Sequence, residues 1–201
     1  MLGSHNSLTY LPCKKWWMYL INWAAKCQSV PLVRQFHSGV QYFDFRVRFK
    51  GKQPVIAHGL IEYKGDIEKK VQTLNYLAVH FNTKVYIRFV LEANKIPEDF
   101  ATQIESLIDL VMYYRGKYPH ITYTYIMSKW NEQKVGSYEK TPLNLIHKYS
   151  SVLKEKRFLW IPYWYARLHN MKFLQENYKE FLSSSDVLML DYINIKEKHK
   201  N

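Results

Sequence analysis

Two histidines in this chain sit where a ligand could approach closely. His5 lies in Gly3-Ser4-His5-Asn6-Ser7, among small residues at the end of a brief apolar segment. His58 lies in Val55-Ile56-Ala57-His58-Gly59, again at a segment end and followed by glycine. Between them, Tyr42-Phe43-Asp44-Phe45-Arg46-Val47-Arg48 alternates, so Asp44, Arg46 and Arg48 share one strand face, which Tyr42 begins. Phe43, Phe45 and Val47 share the other. Breaking a phosphodiester needs a base for the attacking hydroxyl, an acid for the leaving oxygen, and positive charge where the phosphate gains electron density. Two histidines and an arginine supply all three.

The segments around these residues alternate in period. Short β-rich runs are expected entering Gly3 and over Val40–Phe49, Pro54–His58, Lys84–Glu92, Ile121–Met127, Arg157–Pro162 and Val187–Ile193. Helical spacing predicts Pro12–Gln28, Asp66–Phe81, Pro97–Lys117, Pro142–Lys154 and Met171–Leu182 as helices between them. Strands alternating with crossover helices imply a mainly parallel sheet, as a barrel or a doubly wound sheet. Ser128–Thr141, which has no clear period, is the candidate for a mobile or substrate-facing loop.

A length of 201 residues, 47% hydrophobic and 23% charged, is expected to form one domain over residues 1–201. Twenty-nine Lys and Arg against seventeen Asp and Glu give a formal charge of +12, which favours phosphate-bearing partners. Cys13 and Cys27, on an unbroken helix, would stand roughly 21 Å apart, too far for a disulfide, and read as ordinary thiols. The opening residues do not read as a signal peptide, and a mature chain with its signal removed would look the same. The apolar run Trp16–Ala25 is too short to span a bilayer. Localisation stays open.

Taken in order, Gly3-Ser4-His5-Asn6-Ser7, Gly39-Val40-Gln41-Tyr42-Phe43-Asp44-Phe45-Arg46 and His58-Gly59 resemble the X domain of phosphatidylinositol-specific phospholipases C. Leu188-Met189-Leu190-Asp191-Tyr192-Ile193-Asn194 looks like the last strand of the bacterial members. The resemblance implies an α/β fold, a distorted, compact TIM-type (β/α) barrel, with the site at the carboxyl ends of the strands. It also implies phosphoric diester cleavage, with the general base on His5 and the general acid on His58. Asp191 matches the carboxylate that orients the base. Arg46 falls where bacterial members hold the phosphate with an arginine and eukaryotic members place a calcium-binding aspartate. Asp44 joins this catalytic group.

No cofactor is the expectation, with calcium as the alternative. Asn6 is the eukaryotic choice after the first histidine, and Glu92 falls near a eukaryotic calcium-binding glutamate. Asn6, Asp44 and Glu92 could together offer oxygens to a hard cation. Lys129, Trp130, Tyr163, Trp164 and Tyr165 are candidates for stacking on and hydrogen bonding to a headgroup, or for barrel packing.

Trp16 and Trp17, beside Lys14 and Lys15, suggest peripheral contact with an anionic membrane, or else packing on the barrel. The expected partner is a phosphodiester, most naturally a phospholipid. The alternatives are glycerophosphodiester hydrolysis, in which water attacks, or a non-catalytic basic protein binding phospholipid or nucleic acid. No nucleic-acid-binding signature is visible, and nucleic acid is not an expected partner.

Overall fold

The computed structural model describes residues 1–92, 100–127, 147–149 and 187–193. Among the described residues six parallel strands form the frame: β1 (Leu2–Ser4), β2 (Tyr42–Lys50), β5 (Val85–Leu91), β6 (Ile121–Met127), β7 (His147–Tyr149) and β8 (Val187–Leu190). Their spatial order is β7-β8-β1-β2-β5-β6, so the first strand lies between the second and the last. Among the described residues this run is a curved sheet open between β6 and β7.

The two faces of β2 and β5 explain the layering. Phe43, Phe45, Val47 and Phe49 of β2, with Val85, Ile87, Phe89 and Leu91 of β5, join one buried apolar cluster with residues of two helices. These helices are α3 (Ile67–His80), contributing Val71, Leu74 and Leu77, and α4 (Phe100–Lys117), contributing Leu107, Val111 and Tyr114. Their apolar residues recur at three and four positions, so one stripe of each helix covers the sheet. Asp66 caps α3, its side chain accepting from the Lys69 amide.

The opposite face lines the interior. Tyr42 stacks on Tyr86, with ring centroids 6.2 Å apart, and forms a second small cluster with Val187 and Met189. One layer higher, Asp44 stands opposite Arg88, and Arg88 opposite Thr124. The strands are therefore buried on both sides, as in parallel barrels.

Three expectations need correction. Pro12–Gln28 is not one helix: it contains a 3-10 turn (Trp16–Leu20) and α1 (Asn22–Ala25) only. Residues 12–14 are extended against a strand, with the Lys14 amide bonded to the Glu62 carbonyl and the Lys64 amide to the Pro12 carbonyl, which no helix could allow. The helix-based separation of Cys13 and Cys27 therefore does not apply, although both are free, buried thiols.

Pro54–His58 is a strand, β3 (Gln53–His58), but it returns antiparallel along β2 through a turn at Gly51, where φ is +59°. It is followed by β4 (Ile61–Glu62), which the sequence reading lacked, as it did α2 (Leu32–His37). Finally, His147–Tyr149 is a strand inside the segment expected as helix Pro142–Lys154, and it pairs with β8. The expected strand Arg157–Pro162, helix Met171–Leu182 and loop Ser128–Thr141 lie outside the described residues.

The deepest charges are Asp44, fully buried, and Arg88, 1% exposed, joined Nε to Oδ1 at 3.0 Å. Removing one partner of such a pair strands the other in low dielectric. Arg88→Met is accordingly expected to lower unfolding stability by about 3–5 kcal/mol, read as a shift of the urea midpoint; an unchanged midpoint would show that Arg46 alone neutralises Asp44.

Candidate active site

The ends of β1, β2, β3, β5 and β8 converge on one cluster. His5 follows β1, and its backbone amide bonds to the Leu190 carbonyl at the end of β8. That bond brings Asp191 beside it: His5 Nδ1 lies 2.8 Å from Asp191 Oδ1. On the other side of the ring, Arg46 Nη2 donates to His5 Nε2 at 2.8 Å. A guanidinium can only donate, so Nε2 carries the lone pair and Nδ1 carries the proton given to Asp191. The geometry thus selects a neutral imidazole whose basic nitrogen faces Arg46.

His58 lies at the end of β3, its ring centroid 6.4 Å from that of His5. Its Nδ1 donates to the Ala25 carbonyl at 2.7 Å, and its Nε2 accepts from Asn6 Nδ2 at 3.2 Å. Burial, and then the Arg46 charge, depress its pKa from 6.5 to about 4. The turn after it is anchored on both sides: Glu92 Oε1 accepts from the Gly59 amide at 2.9 Å, and Arg48 Nη2 donates to the Gly59 carbonyl. Gly59 has φ +58°, a conformation that favours glycine.

Asp44 lies beneath these groups. Burial alone would raise its pKa, but Arg88 and Arg46 outweigh burial and hold the carboxyl well below the usual range. Its Oδ2 also accepts from the Asn6 backbone amide at 3.1 Å, which helps hold Asn6 at φ +46°. Arg46 spans the two carboxylates, with Nε 3.4 Å from Asp44 Oδ2 and Nη1 3.1 Å from Glu92 Oε2. Both carboxylates of the oxygen set weighed for calcium are therefore engaged by Arg46. The third member, Asn6, has a buried Oδ1 without a hydrogen-bond partner.

His5, His58, Arg46, Asp44, Asp191, Asn6 and Glu92 are thus brought together. Lys129, Trp130, Tyr163, Trp164 and Tyr165 lie outside the described residues. Trp16 is 78% exposed and Trp17 39%, so neither packs inside the barrel; Tyr19, Leu20 and Trp23 extend the same exposed surface.

Two members of the cluster escaped the sequence reading. Arg88 looked like one more residue of a strand, although a charge in Val85-Tyr86-Ile87-Arg88-Phe89-Val90-Leu91 is itself a signal. Cys27 gave no signal at all. It is 5% exposed, with Sγ 3.2 Å from Asn6 Nδ2 and 4.0 Å from His58 Nδ1. Burial, and then Asp191, push its thiol well above the ordinary range, so it stays protonated at neutral pH.

No family model and no curated protein matches the chain. Solved structures do. A phosphatidylinositol-specific phospholipase C of Staphylococcus aureus, studied for its membrane binding, matches with a TM-score of 0.63 and 14% identity, over 96% of this chain and 85% of that one. The phosphatidylinositol-specific phospholipase C of Listeria monocytogenes matches with a TM-score of 0.62 and 14% identity, over 97% and 89%. The chain therefore has the fold of these bacterial enzymes, a distorted TIM-type barrel.

Imidazole NMR of the ligand-free protein is expected to show His58 titrating near about 4. Because the unfolded histidine binds its proton more readily, stability is intact above about pH 6.5 and falls as the pH drops towards 4. Asn6→Asp puts a carboxylate against Nε2 and should raise the midpoint by about 1–3 pH units. An unperturbed His58 in the wild type would contradict this account of the site.

Proposed function

We propose that the chain is a phospholipase C-like phosphodiesterase, cleaving phosphatidylinositol or a closely related phospholipid by paired histidine catalysis without a metal. The observation that carries this reading is the Asp191–His5–Arg46 line of hydrogen bonds, with His58 facing it across the site. The fold shared with bacterial phosphatidylinositol-specific phospholipases C supports the substrate class.

In this mechanism the substrate phosphate draws the Arg46 guanidinium from His5 Nε2 onto its own oxygens, in a charge-assisted fork. That exposes the lone pair on Nε2. His5 then removes a proton from the ring hydroxyl beside the phosphate, and Asp191 stabilises the resulting imidazolium. The hydroxyl oxygen bonds to phosphorus as the bond to the diacylglycerol oxygen breaks.

His58 protonates the leaving oxygen. It is neutral in the empty site, so it must take up a proton from solvent when the anionic phosphate arrives and Arg46 turns away from it. Substrate binding itself thus loads the acid. The products are diacylglycerol and a cyclic inositol phosphate.

Arg46 supplies the charge that calcium would otherwise bring, because its guanidinium lies between Asp44 and Glu92. The reading also assigns membrane docking to the exposed Trp16, Trp17, Tyr19, Leu20 and Trp23, with Lys14 and Lys15 beside them. This segment leads directly to Ala25, which holds His58, so docking would present the site mouth to the headgroup layer.

Phosphorus NMR of phosphatidylinositol in mixed micelles is expected to show a cyclic phosphate signal that survives chelation. His5→Ala and His58→Ala should each lower turnover by about 10²–10⁴-fold with the circular dichroism unchanged. Turnover at the wild-type rate in either variant would sink the mechanism. Trp16→Ala and Trp23→Ala should each weaken binding to phosphatidylglycerol-containing vesicles by about tenfold, or ~1.4 kcal/mol, measured by sedimentation. Unchanged partitioning of the double variant would move the docking surface elsewhere.

A further inference from the structure

The paired-histidine mechanism has no use for Cys27, yet the thiol is buried inside the same cluster. A ring nitrogen of His5, Cys27 Sγ and an Asp191 carboxylate oxygen all lie within 4.8 Å of one another, and His5 Nδ1 is the nitrogen that faces Asp191. They come from three separate parts of the chain, and the backbone between them is tightly stitched. Thr9 Oγ1 accepts from the amides of Cys27 and Gln28, both at 2.9 Å. Gln28 Nε2 donates to the carbonyls of His5 and Leu190, and its Oε1 accepts from the Ile193 amide. The Tyr192 amide bonds to the Cys27 carbonyl. A thiol, an imidazole and a carboxylate are thus held in place by contacts that involve none of their reactive atoms.

We propose that His5, Cys27 and Asp191 form a binding site for a thiophilic divalent cation of the zinc type, distinct from the calcium set of Asn6, Asp44 and Glu92. Zinc holds sulfur at about 2.3 Å and nitrogen or oxygen at about 2.0–2.2 Å. Ligand atoms on one such ion stand roughly 3–4 Å apart, so small side-chain shifts would let the trio share it. Sulfur and imidazole select zinc over magnesium or calcium, which prefer oxygen alone.

A second observation points the same way. The Asn6 amide that touches Sγ through Nδ2 carries a buried Oδ1 without a hydrogen-bond partner, so a flip of the amide would bring an oxygen to a fourth position that water could also fill. The charges also balance. A thiolate and a carboxylate neutralise the cation, so Arg46 on the far side of His5 meets no large net repulsion.

Binding is a proton exchange. The Cys27 S–H bond breaks, its proton leaves to solvent, and a sulfur–metal bond forms. Nδ1 gives up its proton to bind the ion, the neutral imidazole takes one at Nε2, and Arg46, which can only donate, turns from Nε2 towards Asp44 and Glu92. Nε2 then no longer accepts from Arg46 and cannot take a proton from substrate. Occupancy would switch off the base, a consequence that rests on the catalytic reading above, whereas the binding itself does not.

The test is titration of the metal-free protein with zinc by calorimetry, and with cadmium by the ultraviolet absorption of the cadmium–thiolate bond. One equivalent should bind, releasing one proton. Cys27→Ser should abolish the absorption, and Asp191→Asn should weaken zinc binding by about tenfold or more, a loss that even outer partners of a ligand produce. Cys13→Ser, which alters the other buried thiol, should change neither. Absence of the thiolate absorption in the wild type, or its persistence in a folded Cys27→Ser, overturns the site. If binding behaves as expected, zinc inhibition of turnover relieved by chelator supports the switch. Full turnover with the site occupied overturns the switch alone, and absence of turnover in metal-free protein counts against the catalytic reading instead.

Discussion

Everything above the middle of the barrel rests on one buried charge, the Asp44 carboxylate. It is fully buried, and it survives as an anion because Arg88 from the neighbouring strand and Arg46 two residues along its own strand approach it together. Burying an ion this deeply is tolerated only with close partners and hydrogen bonds to the remaining lone pairs. The Asn6 amide supplies one of those bonds, and the Ser7 hydroxyl bonds to the Asp44 backbone amide. Satisfying Asp44 therefore also ties down the loop that carries His5.

From that base the site is assembled by strand order. β1 lies between β2 and β8, so the chain's first and last described strands meet, and His5 and Asp191 become hydrogen-bonded neighbours despite a separation of 186 residues. The β3–β4 hairpin brings His58 back over the end of β2, and Glu92 and Arg48 hold the turn at Gly59. No single loop could do this, since the groups come from the ends of five strands. The backbone of this layer is consequently tied at several strand ends, while Arg46 is held only by side-chain contacts.

The inner face shows how the same local pattern serves different ends. In Tyr42, Asp44 and Arg46, successive inward positions pass from aromatic packing to a structural ion pair to a partly exposed cation. The strand alternation places them on one line, but the depth of each in the barrel decides its task. Arg88 and Arg46 are chemically identical and bond to the same carboxylate. The first is nearly sealed, the second is 19% exposed in its side chain; only the second is open to solvent.

Alternation and helical spacing are local properties, and for that reason β2, β5, β6, α3 and α4 were legible from the residues alone. His5, Arg46, His58 and Asp191 were singled out by neighbours that resemble a known motif set, and the structure gathers all four into one cluster. The antiparallel return of β3, the extended course of residues 12–14 and the strand at His147–Tyr149 were not legible. They depend on pairing with segments distant in the chain, and a period carries no information about partners. The sequence by itself determined which residues could act as acid, base and phosphate ligand, because that follows from side-chain chemistry. Only the tertiary structure decided that Arg88 neutralises Asp44, that Arg46 rests on His5, and that Cys27 lies among the histidines, because those meetings are set by strand register and by hydrogen bonds spanning the whole chain.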